Sequence, residues 1–240
     1  SVYRHQHAFL ADANDYHDGY SEEIMGKAIQ DRREKVFLMT KVCNRDYKGA
    51  LDNLDDSLRR LKTDHIDLWQ FHEMVYDNDP DWVFDRGGMK AALEAQKAGK
   101  VRHIGFTGHK DPSIHLKMLN KSKIWASAQM PINVCDYFFR SFLHEVVPAC
   151  HEQDTGVLGM KSLAGGMKGK IPASGLVTAK QWLRFLLSQP ISSLVVGLRN
   201  ENDLTQALEV GRNFQPLNRE EQAEILAKVK VAAGDGRHER

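Results

Sequence analysis

Three cysteines in 240 residues, Cys43, Cys135 and Cys150, are an odd count at wide spacings with no CxxC pair. That argues against a disulfide framework and a zinc site, and it fits a reducing compartment. Charge of one sign is missing too. Thirty-three Lys and Arg face 32 Asp and Glu, so the net charge of +1 creates no field for nucleic acid or an anionic membrane. No apolar run is long enough to span a bilayer, and SVYRHQHAF does not read as a signal peptide. Neither GxGxxG nor GxxxxGK occurs, and there is no fixed-period repeat and no low-complexity stretch. Eleven histidines invite a metal, yet His5, His7, His103, His109 and His115 form neither HExxH nor another ligand pattern. The expectation is a cytoplasmic protein forming a single domain over residues 1–240. Its partner would be a small molecule, with no nucleic acid and no membrane.

What is present is an alternation of short apolar runs and longer amphipathic segments, the pattern of parallel βαβ architecture. It predicts strands at Ala8–Ala13, Lys35–Lys41, His65–Phe71, Val101–Thr107, Ala126–Pro131, Val157–Lys161 and Ser193–Val196. Leu51, Leu54, Leu58 and Leu61 form an apolar stripe at helical spacing. Asp111-Pro112 reads as a helix start, Thr178 with Gln181 as a capping box, and Gly99 as a helix stop. Asn218–Ala233 reads as a final helix outside the repeat. Seven βα units in a chain slightly below the usual ~250 residues of a (β/α)8 barrel predict that TIM-barrel type, α/β, with one unit absent.

Chemistry in such a fold gathers at the C-terminal ends of strands. Tyr16 follows the first strand, Lys41 ends VFLMTK and His72 ends IDLWQFH. A phenol, an ammonium and an imidazole at neighbouring strand ends can together move a proton and hold a substrate oxygen.

The ordered stretches DYHDGYSEEIMGKAI, KVFLMTKV, DHIDLWQFHE and GKVRHIGFTGH resemble a bacterial-type subgroup of the aldo-keto reductases. The resemblance runs from about Phe9 to the end, and it implies that a hairpin, a first strand and a first helix of the family precede this segment. It implies reduction of an aldehyde or ketone by hydride transfer from NADPH. Tyr16 would be the proton donor, Lys41 would lower its pKa, and His72 would orient the carbonyl oxygen. The family's fourth member, an aspartate five residues before the tyrosine, falls on Ala11. Asp12 stands beside it, and regular strand alternation would point that side chain away from the lysine. Cofactor contacts implied by the resemblance are Thr107, Gln129, Met160, Lys161, Ser162, Leu163, Gly197, Arg199 and Asn200, with Gly165 in the same loop as Lys161. Arg199 is the candidate for the 2′-phosphate of NADP. Thr107, Gly108, Met160, Asp203 and Ala207 depart from common family residues. They leave open an alternative, a catalytically degraded barrel that serves as a nucleotide-binding regulatory or interaction protein. Self-association, or replacement of the absent strand by Ser1–His7, would cover the edge that strand leaves exposed.

Overall fold

A computed structural model describes residues 8–163 and 175–233. Seven strands alternate with helices, all seven within a few residues of the positions the pattern predicts. Contacts divide the chain into two compact units after Ala128, where the sequence suggests a single domain.

In the first unit the strands are β1 (Ala8–Ala11), β2 (Val36–Val42), β3 (Ile66–Met74) and β4 (Val101–Gly108). They pair in parallel in chain order, with Leu10 opposite Leu38, Met39 opposite Leu68 and Phe71 opposite Phe106. Helix α1 (Tyr20–Ile29) follows β1 and α2 (Tyr47–Leu61) follows β2. After β3 come α3 (Asp79–Asp85) and α4 (Gly88–Lys97), and α5 (Pro112–Lys121) follows β4. β2 and β3 are buried along almost their whole length, so they read as near-continuous apolar runs. The stripe on α2 is placed as predicted but shifted slightly. Ala50, Leu54, Ser57 and Leu61 face the core, with Leu51 and Leu58 half-buried. Asp111 caps α5 by accepting from Ser113 N, and Gly99 takes a left-handed φ of 76° just past α4.

In the second unit β5 (Ser127–Pro131, whose first two residues belong to the first unit), β6 (Gly156–Met160) and β7 (Ser193–Leu194) follow the same alternation. β7 is shorter than predicted, though Val195 N still donates to Gly159 O at 2.8 Å. Helices α6 (Phe142–Glu152), α7 (Ala179–Leu187), α8 (Glu201–Arg212) and α9 (Arg219–Ala233) complete the described residues. Thr178 and Gln181 form the expected capping box on α7. Asn218 and Glu221 form a reciprocal pair at the start of α9. No described helix is long and apolar enough to cross a membrane, and the described residues hold no group of three or more candidate metal ligands.

Candidate active site

Tyr16, Lys41 and His72 all belong to the first unit, and its parallel register brings them together. Lys41 Nζ lies 4.8 Å from the centre of the Tyr16 ring, and the Tyr16 and His72 rings meet edge-on with centres 6.0 Å apart. The loop after β1 that carries Tyr16 is unusual. His17 and Asp18 adopt left-handed φ values of 52° and 55°, and Gly19 follows at 87°. Such backbone persists only where its surroundings hold it. Here Arg60 on α2 does so: its Nη1 donates to Asn14 O at 3.1 Å and reaches Glu22 Oε2 at 3.4 Å. A side chain at Gly19 would be strained at this φ, and its Cβ, 2.2 Å from the Arg60 guanidinium carbon, would force Arg60 to shift. Glu22 is fully buried, and its other oxygen accepts the Thr40 hydroxyl at 2.6 Å.

The electrostatics assign each group a protonation state. Burial, followed by the negative charges of Asp15, Asp12 and Glu73, pushes the Tyr16 phenol up to about 12. The sequence-based expectation was the opposite, a phenol made more acidic by Lys41. Burial disfavours the phenolate, and the charges of Asp15, Asp12 and Glu73 act in the same direction. Lys41 is almost completely buried, and burial draws it down to about 8 against the pull of Asp12 and Asp15. Burial and then the Lys41 charge lower His72 to about 4, so its imidazole is neutral at physiological pH.

Asp12 follows the last residue of β1, and its amide still donates to Met39 O at 2.9 Å, so the ladder onto β2 runs on past Ala11. The link of Asp12 to Lys41 is through the backbone, since Lys41 Nζ donates to Asp12 O at 2.5 Å. The buried Asp12 carboxyl accepts from Ala13 N at 2.8 Å. Burial raises its pKa, against the Ala13 amide, the Ser21 hydroxyl and the Lys41 charge. A carbonyl oxygen thus orients the lysine where the sequence left that task without an owner.

Thr107 and Arg45 also join the group. Thr107, expected among the cofactor contacts, has its hydroxyl oxygen 3.1 Å from His72 Nδ1. Arg45 donates to Cys43 O at 2.8 Å, to Glu73 O at 3.2 Å and to Asp79 Oδ1 at 3.4 Å. Asp79 Oδ2 accepts the amides of Val75 and Tyr76, which fixes the loop after β3. Nothing in the local pattern marks Arg45, because its role depends on three backbone segments meeting.

The other sequence candidates lie in the second unit. Gln129 on β5 is buried, and its Nε2 donates to Met160 Sδ at 3.7 Å. Lys161 takes a left-handed φ of 52°, Ser162 is buried and Leu163 is half-buried. Gly165 lies outside the described residues. Gly197 and Arg199 are exposed, and Asn200 caps α8 by accepting from Asp203 N at 2.9 Å. The Asp203 carboxylate accepts from Arg199 N at 3.2 Å and from Arg199 Nε at 3.4 Å. An exposed guanidinium at a helix start suits a phosphate, and Asp203 is the anion already there.

The sequence matches the Aldo/keto reductase family over residues 6–171. The chain belongs to that family. An uncharacterized oxidoreductase of Bacillus subtilis, YqkF, is 25% identical over 92% of this chain and 83% of its own length. The methylglyoxal reductase YeaE of Escherichia coli is 30% identical over 62% of this chain, and the match spans half of that protein's length. Among solved structures, the aldo-keto reductase AKR11C1 from Bacillus halodurans superposes with a TM-score of 0.78 at 24% identity, covering 97% of this chain and 85% of its own. An aldo/keto reductase from Klebsiella pneumoniae in complex with NADP and acetate gives 0.71 at 19% identity, over 95% and 80%. These likenesses establish the fold as the (β/α)8 type, of which the described residues carry seven βα units.

Proposed function

We propose that this aldo/keto reductase family member is an NADPH-dependent oxidoreductase that reduces an aldehyde or ketone in the cytoplasm. The observation that carries the reading is the Tyr16–Lys41–His72 cluster, with a neutral phenol and a neutral imidazole at one place. When bound, the reduced nicotinamide supplies hydride from its C4 to the carbonyl carbon. Tyr16 gives its hydroxyl proton to the oxygen that becomes the alcohol. His72 donates a hydrogen bond to that oxygen and holds it beside the phenol. Lys41, tethered to Asp12 O, places positive charge over the Tyr16 ring, where it offsets the negative charge that grows as the proton leaves. Asp12, with its carboxyl buried beside the lysine, takes the part of the family aspartate through its main chain.

The residues that would hold the cofactor are Gln129 and Met160 at the carboxamide and ring, Lys161, Ser162 and Leu163 along the pyrophosphate, and Gly197, Arg199 and Asn200 at the adenosine phosphate. The donor set fits the group: an amide, a loop with a left-handed backbone and a helix start with a guanidinium. Methylglyoxal is reduced by one relative, as its name states, and it serves as a first substrate to try.

Titration with NADPH and NADH, followed through quenching of the four tryptophans, tests the reading. NADPH should bind in the micromolar range, and NADH more weakly. Asp203→Asn should tighten NADPH binding by about two- to fivefold, corresponding to about 0.5–1 kcal/mol for an exposed ion pair that no longer competes for Arg199. NADH binding should not change. Failure of both nucleotides to bind would contradict the reading, and binding without carbonyl reduction would favour the degraded-barrel alternative.

A further inference from the structure

The register between β3 and β4 is regular up to Phe71 opposite Phe106, then breaks and resumes at Met74 opposite Gly108. Two residues of β3, His72 and Glu73, therefore face one residue of β4, Thr107. That is a β-bulge, a device that re-aims a side chain and recurs beside active sites. The bulge is strained, because Glu73 is a non-glycine residue at φ 71°. It is also fastened. Arg45 Nη2 holds the Glu73 carbonyl, and the Glu73 carboxylate meets His109 Nε2 just past β4. The register that pairs Phe71 with Phe106 brings His72 alongside Thr107 before the break, and there the His72 ring meets the Thr107 hydroxyl, 3.1 Å from Nδ1.

We infer that Thr107 is a positioning residue whose hydroxyl donates to His72 Nδ1 and so fixes the imidazole as the tautomer with its proton on Nε2. This rests on the proposed reductase site, and it assigns that site its hydrogen-bond direction. A carbonyl oxygen can only accept, so the ring nitrogen that meets it must carry a proton. With a neutral imidazole there is one proton for two nitrogens, and the partner of one decides the state of the other. Thr107 is fully buried in β4, so its hydroxyl has no water to turn to. The protein thereby commits His72 to donation before substrate arrives, which removes a reorganisation step from the reaction.

Nitrogen-15 NMR of histidine-labelled protein reads the tautomer directly, with His72 assigned by difference from His72→Asn. The inference expects a protonated Nε2 and an unprotonated Nδ1 in the resting protein. Thr107→Val should leave the fold intact, mix the two tautomers and lower kcat by about 10- to 100-fold. Thr107→Ser should restore both the tautomer and the rate. A protonated Nδ1 in the wild type would overturn the inference, as would a Thr107→Val protein with unchanged His72 shifts. The spectrum needs no turnover. Absence of carbonyl reduction would therefore count against the proposed function, while the tautomer assignment stood or fell on the resonances alone.

Discussion

Replacing Tyr16 by phenylalanine should lower kcat for carbonyl reduction by about a thousandfold while leaving NADPH affinity unchanged. The magnitude follows from the loss of a positioned general acid, which contributes roughly 10²–10⁴. Tyr16 suits that role because it keeps its proton: burial and the carboxylates of Asp15, Asp12 and Glu73 hold the phenol near 12. Its ring stays stacked under Lys41 in the phenylalanine variant, so the packing survives and only the hydroxyl is lost. The pH profile gives a second reading of the same arrangement. Neither Tyr16, raised to about 12, nor His72, lowered to about 4, changes protonation between pH 5 and 7. The kcat profile should therefore lack the limb near pH 6.5 that an ordinary histidine would impose. Steady-state kinetics at several pH values checks both statements.

Lys41→Met should do two opposite things: abolish most activity and stabilise the fold. The ammonium is buried and bound to a carbonyl, and burial draws its pKa from 10.5 to about 8. Below pH 8 the native state holds a charge that burial disfavours. Between about 8 and 10.5 the unfolded chain keeps a proton the native state has released, so wild-type stability from this group rises with pH. The gain from Lys41→Met should thus be largest at neutral pH, at most about 3 kcal/mol, and should shrink as pH passes from 8 towards 10.5. Urea unfolding at pH 7 and pH 9.5 measures the difference. A variant less stable than wild type at both pH values would mean that the lysine is there for packing, not as charge placed for chemistry at the expense of stability.

The strands were legible because both faces of β2 and β3 are mostly buried, which writes them as largely apolar runs. Thr178, Gln181 and Asp111 announced their helix starts because capping depends on neighbours close in sequence. Tyr16, Lys41 and His72 were legible as residues placed at strand ends, and their meeting follows from the parallel register. What the pattern could not show was anything set by bulges or by carbonyls. Thr107 stood as a cofactor contact because the resemblance implies it, and its hydrogen bond to His72 depends on the β3–β4 register, which the residue order does not give. Alternation turned the Asp12 side chain away from the lysine, and the contact that forms uses the Asp12 carbonyl, which no side-chain pattern announces. The sign of the Tyr16 shift also escaped the sequence, because it depends on burial and on the carboxylates the fold gathers near the phenol.

The most direct test of the account is the fate of deuterium in NADPH labelled at both hydrogens of C4. Incubated with the protein and methylglyoxal, it should appear on the carbinol carbon of the alcohol product, one deuterium per NADPH oxidised, and the Tyr16→Phe protein should yield almost none. NADPH that binds tightly yet transfers no deuterium to methylglyoxal or to a panel of other aldehydes and ketones would contradict the account, and would leave the chain as a nucleotide-binding barrel without reductase activity.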